Sequence, residues 1–142
     1  MIESTLNFTQ TMLRPLSRYA DFRGRASRLE LFLFSGFVVV AIVAMGMFFG
    51  ILAGLIGPSA GPGSFFSAIA SVVIGTFLLG TLVPSLSVTV RRLHDQGRSG
   101  RFLLVLFIPA VGLFILAALL LLPGDNSANR YGPPSDSDAE IF

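Results

Sequence analysis

The chain has no cysteine, no lysine and no tryptophan, a single histidine, and only 13% charged residues in 142. Without cysteine there is no disulfide scaffold, no thiolate metal site and no thiol nucleophile. Without lysine every basic side chain is a guanidinium, which binds phosphate and carboxylate in a bidentate way that an ammonium cannot match. A coding bias of the source genome would leave the same mark. A soluble domain carries about 25% charged residues, roughly twice the share here. What is present instead is apolar: 53% hydrophobic residues and a mean hydropathy of +0.77. This composition excludes an ordinary soluble enzyme and a disordered protein, and it places one domain, residues 1–142, in the membrane class.

The charges fall into three windows, 1–30, 91–101 and 125–142. Residues 31–90 contain no Asp, Glu, Lys or Arg, and neither do 102–124. A spanning helix needs about 20 apolar residues, so the first run accommodates two spans and the second one. The cluster Gly57-Pro58-Ser59-Ala60-Gly61-Pro62-Gly63-Ser64 interrupts the long run, because it cannot continue a helix. The expected fold is an all-α integral membrane protein with transmembrane helices at 31–56, 65–90 and 102–122. A cytoplasmic and interfacial lead-in occupies 1–30, and a polar tail 123–142. Around Leu6, Met12, Leu13 and Leu16 the lead-in carries a broken apolar stripe that suits a short interfacial helix, with Pro15 ending it or starting another. Phe37 to Ala44 is apolar on every side, which fits a lipid-exposed helix and not the alternating strand of a barrel. A cleavable signal peptide is not expected, since its apolar core would be shorter and nearer the terminus.

Orientation follows from the arginines: five in the lead-in, four in 91–101, none in 57–64 and only Arg130 in the acidic tail. The positive-inside rule puts both Arg-rich segments in the cytoplasm, so three spans imply N-terminus in and C-terminus periplasmic. The weak point is Pro109-Ala110-Val111-Gly112 inside the third span. A re-entrant hairpin there would return the tail to the arginine side.

Two clusters carry the polar chemistry. Arg23, Arg25 and Arg28 lead into the first span, and Ser27 and Glu30 have capping-box spacing: the Ser27 hydroxyl accepts from the N–H of Glu30, and the Glu30 carboxylate reaches back to the N–H of Ser27. The second cluster holds Arg91, Arg92, His94, Asp95 and Arg98. Arg91 and Asp95 are four apart and can pair on one helix face. Gly97 suits a left-handed helix terminator and Ser99 the N-cap of the third span. His94 and Asp95 are adjacent, so on a helix they point about 100° apart and share no metal site. The expected site is thus a clamp for an anion, a lipid headgroup or the fold itself, with Arg23, Arg25, Arg28, Arg91, Arg92 and Arg98 in one band and Glu30 and Asp95 as counter-ions. No catalytic residue, cofactor, metal or nucleic-acid partner is expected. The partners implied are the bilayer, anionic phospholipids or another membrane protein. A small transporter or channel protomer is the alternative, but the spans offer only hydroxyls such as Ser67, Ser71, Thr76, Thr81 and Ser85, where transport usually uses ionisable groups or unwound backbone.

Small residues suggest how the first two spans pack. Gly46, Gly50 and Gly54 face Ser67, Ser71 and Gly75 at matching depths of an antiparallel hairpin, so the backbones could approach closely. A homodimer would use the same residues.

Three stretches carry a family resemblance: Gly-Arg-Ala-Ser-Arg-x-Glu at 24–30, Arg-Arg-Leu-His-Asp-x-x-Arg-Ser-Gly at 91–100, and Asn129-Arg130-Tyr131-Gly132-x-Pro134. Together with Ile108-Pro109-x-x-Gly112, they resemble the domain-of-unknown-function 805 (DUF805) family of small bacterial inner-membrane proteins, over roughly residues 18–134. The chain departs from that pattern after Glu30, where Leu31-Phe32 stands in place of an aromatic pair with Trp. The resemblance implies a multi-pass protein of the bacterial inner membrane and supplies no biochemical activity.

Overall fold

A computed structural model of the chain describes residues 2–57 and 64–135. Four α-helices and one 3-10 helix follow in order: α1 (Ile2–Ser17), α2 (Arg28–Ile56), α3 (Phe65–Asp95), the 3-10 helix (Gly100–Phe107) and α4 (Gly112–Leu121). Among the described residues the only extended pairing is one isolated bridge, Asn129 to Gly132.

α2 and α3 coincide with the first two of the three expected spans, each extended into its flanking arginine motif, and both are long and apolar enough to cross a membrane. Neither is the core helix of a soluble protein: none of the apolar stretch of α2 is buried inside the molecule, and 6% of that of α3. At the start of α2, Ser27 is an N-cap in extended geometry whose hydroxyl accepts from the Glu30 N–H at 3.1 Å. Only this half of the capping box forms. The Glu30 carboxylate turns to Arg91 instead, because a buried guanidinium is the stronger partner. α3 ends as Gly97 allows. With φ at 66°, its N–H donates to the His94 carbonyl at 3.0 Å, and the Arg98 N–H to that of Leu93 at 3.0 Å, the paired bonds of a Schellman motif. Ser99 then caps the 3-10 helix through the Arg101 N–H.

The third span does not form. The 3-10 helix breaks at Ile108, Pro109 supplies no N–H, and Ala110 sits in the left-handed region at φ 65°. The chain reverses there into α4, whose ten residues measure about 15 Å, half the roughly 30 Å of a hydrocarbon core. The result is a hairpin, not a crossing. Part of the reversal is satisfied internally: Ile108 donates to Val105, Val111 to Pro109 and Gly112 to Ile108, while no side chain caps the start of α4. The two arms touch at Gly112, where an added Cβ would lie 3.0 Å from the Val105 carbonyl carbon. Residues 123–135 consequently return to the end of α3 that carries the arginines, and the tail does not lie across the membrane from them.

The packed core sits at that same end. Ala26, Leu31, Phe34 and Val88 form a buried cluster, with Phe37, Val38 and Leu120 against it. α1 packs on α2 and α3, with Pro15 buried in its last turn. At the far end α2 and α3 meet through the Phe49 and Phe66 rings, 5.8 Å apart edge to face. The expected small-residue seam is absent. A Cβ at Gly46, Gly50, Gly54 or Gly75 would meet no atom within 4 Å, so aromatic bulk, not glycine, sets the spacing of this helix pair. The loop of residues 58–63 between the two helices lies outside the described residues.

Candidate functional site

Three separate segments converge on the C-terminal end of α3. Asp95, 1% exposed, is their hub. Its Oδ1 accepts from Arg25 Nε at 2.6 Å and from the Ser135 hydroxyl at 3.2 Å, and its Oδ2 pairs with Arg92 Nη1. Its backbone carbonyl accepts from Arg25 Nη2 at 3.2 Å and from the Asp125 N–H at 2.8 Å. The expected Arg91–Asp95 pair is therefore not made. Arg92, three positions back, holds the carboxylate, and Arg91 points to α2, where its Nη2 lies 2.9 Å from Glu30 Oε1.

Each buried guanidinium joins elements that the chain separates. Arg25 crosses from the α1–α2 connection to the tail, donating through Nη1 to the Ser127 carbonyl at 2.8 Å and the Gly132 carbonyl at 3.4 Å, and through Nη2 to the Asp125 carbonyl. Arg92 caps the C-terminus of α4, with Nε 3.3 Å from the Leu120 carbonyl and Nη2 2.5 Å from that of Leu122. Gln96 does the same for Leu119 at 2.6 Å and Leu122 at 3.3 Å. The last carbonyls of a helix have no partner of their own, and in an apolar setting they are costly to leave bare. Side chains from α3 supply what water would supply elsewhere. Nearby, the Ala26 N–H donates to the Arg91 carbonyl at 3.1 Å and the Ser87 hydroxyl to the Asp21 carbonyl at 2.6 Å, fastening the lead-in to α3.

The tail closes the arrangement. Asn129 Nδ2 donates to the His94 carbonyl at 3.0 Å and to Asp125 Oδ2 at 3.1 Å. The Tyr131 ring stacks on the His94 imidazole at 3.8 Å and 4° between planes, and Arg130 reaches the Gly97 carbonyl at 3.0 Å with its guanidinium 4.8 Å from the Tyr131 centroid. Gly124 permits this docking, since a Cβ there would fall 2.7 Å from Asp95 Cγ.

Of the sequence-selected residues, Arg25, Glu30, Arg91, Arg92, His94 and Asp95 are thus brought together. Arg23 and Arg28 do not join Arg25 in a pocket: Arg23 is exposed, with its backbone N–H on Asp21 Oδ1 at 3.0 Å, and Arg28 is half-buried. Arg98 lies over the Phe102 ring at 5.5 Å. Gln96, Gly124, Asp125 and Ser127 join the site without a sequence signal. Their parts are played largely through backbone groups or as hydrogen bonds to carbonyls of a distant segment, for which no local spacing gives a signal. The hydroxyls of α3 are mostly spent on their own helix: Ser71 on Ser67, Ser85 on Thr81 and Thr89 on Ser85. Among the described residues no group of three His, Asp or Glu is placed to hold a metal ion. The arrangement is a clasp in which two carboxylates pair with three guanidiniums; Arg25 and Arg92 also bond backbone carbonyls, while Arg91 Nε and Nη1 are buried without a hydrogen-bond partner.

Most of the clasp lies within the stretch that a family model covers. The family model described as "Protein of unknown function (DUF805)" matches residues 19–133. The chain belongs to this family. Among its curated relatives, the inner membrane protein YhaI of Escherichia coli K12 is 32% identical over 123 residues, covering 87% of this chain and 92% of that protein. The inner membrane protein YhaH of the same strain is 30% identical over 122 residues, covering 85% and 92%. No solved structure matches the chain. This DUF805 member is therefore related along nearly its whole length to bacterial inner-membrane proteins, and its two long apolar helices agree with that setting.

Proposed function

We propose that this protein is a non-enzymatic, multi-pass protein of the bacterial inner membrane whose arginine-rich end faces the cytoplasm and engages anionic phospholipid headgroups. The observation that carries this reading is a division of labour among the arginines. Arg25, Arg91 and Arg92 are buried and paired inside the clasp. Arg14, Arg18, Arg23, Arg28 and Arg101 make no side-chain hydrogen bond or ion pair among the described residues. Tyr19, Phe22 and Phe32 are exposed in the same stretch of chain, as interfacial aromatics at headgroup depth are. A guanidinium there meets lipid phosphate with two parallel hydrogen bonds.

Native mass spectrometry in a gentle detergent tests this. The wild type should retain phosphatidylglycerol or cardiolipin over phosphatidylethanolamine. Replacing the five outer arginines with Gln should remove that preference while the melting temperature holds. Equal retention of zwitterionic and anionic lipid by the wild type would overturn the reading.

A further inference from the structure

The core of this molecule is one-ended. In α2 the buried residues stop at Phe34, and in α3 they begin at Thr81. From residue 35 to 56 and from 65 to 80, no described side chain is buried. Everything else packs on the arginine end. The hairpin has both feet there, because a Cβ at Gly100 would lie 3.0 Å from Val90 and because α4 sets Leu120 against the cluster of Leu31, Phe34 and Val88. The lead-in is held there through Asp21 and Ser87. Each arm of the hairpin is about 15 Å long, so with its feet at the interface it ends near the bilayer midplane. Its outward side chains are apolar and open to lipid: Phe107 is 82% exposed and Phe114 74%.

One leaflet therefore holds two spanning helices and a hairpin, with α1 against them, while the other holds two helices. A helix with its side chains is about 10 Å across, so the cross-section on the arginine side is close to double. A body of unequal width expands one leaflet more than the other. That strain is relieved where the wide leaflet is already stretched over a convex surface, as when a helix inserts into one face of a membrane.

We propose that the protein is a one-leaflet wedge, whose partner surface is the acyl layer of the arginine-side leaflet and which collects where that leaflet is convex. The wedge depends on shape and is separate from the headgroup reading, so it should operate in neutral lipid.

The absence of cysteine makes the test direct. Ala20→Cys, on the exposed α1–α2 connection, takes a single fluorophore, and the full-length protein is placed in giant vesicles of pure phosphatidylcholine from which a narrow membrane tube is pulled. A membrane-impermeant quencher separates molecules with the arginine end outside from those with it inside. Molecules facing outward should be enriched in the tube relative to the parent vesicle, and those facing inward depleted. Because one folded protein gives both signs, no destabilised variant enters the comparison. A tube-to-vesicle ratio independent of orientation overturns the wedge. So does enrichment that appears only after phosphatidylglycerol is added, an outcome that would leave headgroup binding standing by itself.

Discussion

Arg25 and Asp95 stand 70 positions apart in the chain and 2.6 Å apart between Nε and Oδ1. Asp95 pairs with Arg25 and Arg92 at once, one carboxylate between two guanidiniums, and all three side chains are almost fully removed from solvent. Removing one member of such a group leaves uncompensated charge, which costs about 3–5 kcal/mol when buried. Asp95→Asn should lose stability on that scale, read as a fall in the melting temperature in detergent. Asp125→Asn, at an exposed position, should change it by under about 1 kcal/mol.

Gly124 lies under the same carboxylate. A methyl group there must displace Asp95 or lift the tail, since Asp95 Cγ would be 2.7 Å away. Gly124→Ala should cost about 1–3 kcal/mol, the range for overpacking a filled site. It should also make the bond after Arg130 more sensitive to trypsin, because the tail that Arg130 anchors on Gly97 would be released.

Gly50 offers the opposite case. Nothing lies within 4 Å of its absent Cβ, so a larger side chain enters lipid and not a neighbouring helix. Gly50→Leu should leave the melting temperature of the isolated protein unchanged or slightly raised, since Leu is favoured over Gly in a helix by somewhat under about 1 kcal/mol. A large loss of stability would mean that α2 and α3 pack through glycine after all.

The contrast between Asp95 and Gly50 separates what was legible in the sequence from what was not. The two long helices could be read because a charge-free run, Ser27 before it and Gly97 after it are local signals. The hairpin could not be told from a third span by composition, because both are charge-free. What distinguishes them is that Arg92 and Gln96, more than 20 positions upstream, satisfy the carbonyls of Leu119, Leu120 and Leu122. The Arg91–Asp95 pairing failed for a related reason. Spacing of four describes one helix face but cannot see Glu30 on the neighbouring helix, which wins Arg91. The arginine motifs were recognisable as a group, while their split into inward and outward members depends on tertiary contacts.

Ala110 holds the hairpin reversal at φ 65°, a conformation that costs a non-glycine residue about 1–2 kcal/mol. Ala110→Gly should therefore stabilise the fold by up to about 1 kcal/mol, after the added freedom of the unfolded chain is subtracted. Thermal unfolding of the two proteins in the same detergent measures it. A neutral result would mean that the strain is absorbed elsewhere in the turn.

The hairpin also fixes where the tail must be. A chain that enters at Gly100 and leaves α4 at Leu121 has returned to the depth of Arg92, and Arg25 holds the Asp125, Ser127 and Gly132 carbonyls there. Releasing the tail to the other side would require α4 to lengthen by about 15 Å, and would strip Arg25 and Arg92 of their carbonyl partners. With arginines on the cytoplasmic side, both Arg14 and Phe142 should face the cytoplasm. A green fluorescent protein fused after Phe142 should fluoresce, and an alkaline phosphatase fused at the same point should be inactive. Deleting 102–122 as a block would leave a two-span chain with the same reporter pattern, whereas replacing Pro109, Ala110 and Gly112 together with Leu should favour one continuous helix and switch the phosphatase on. An active phosphatase on the unaltered chain would mean that 102–122 crosses the membrane and that the clasp is not its resting arrangement.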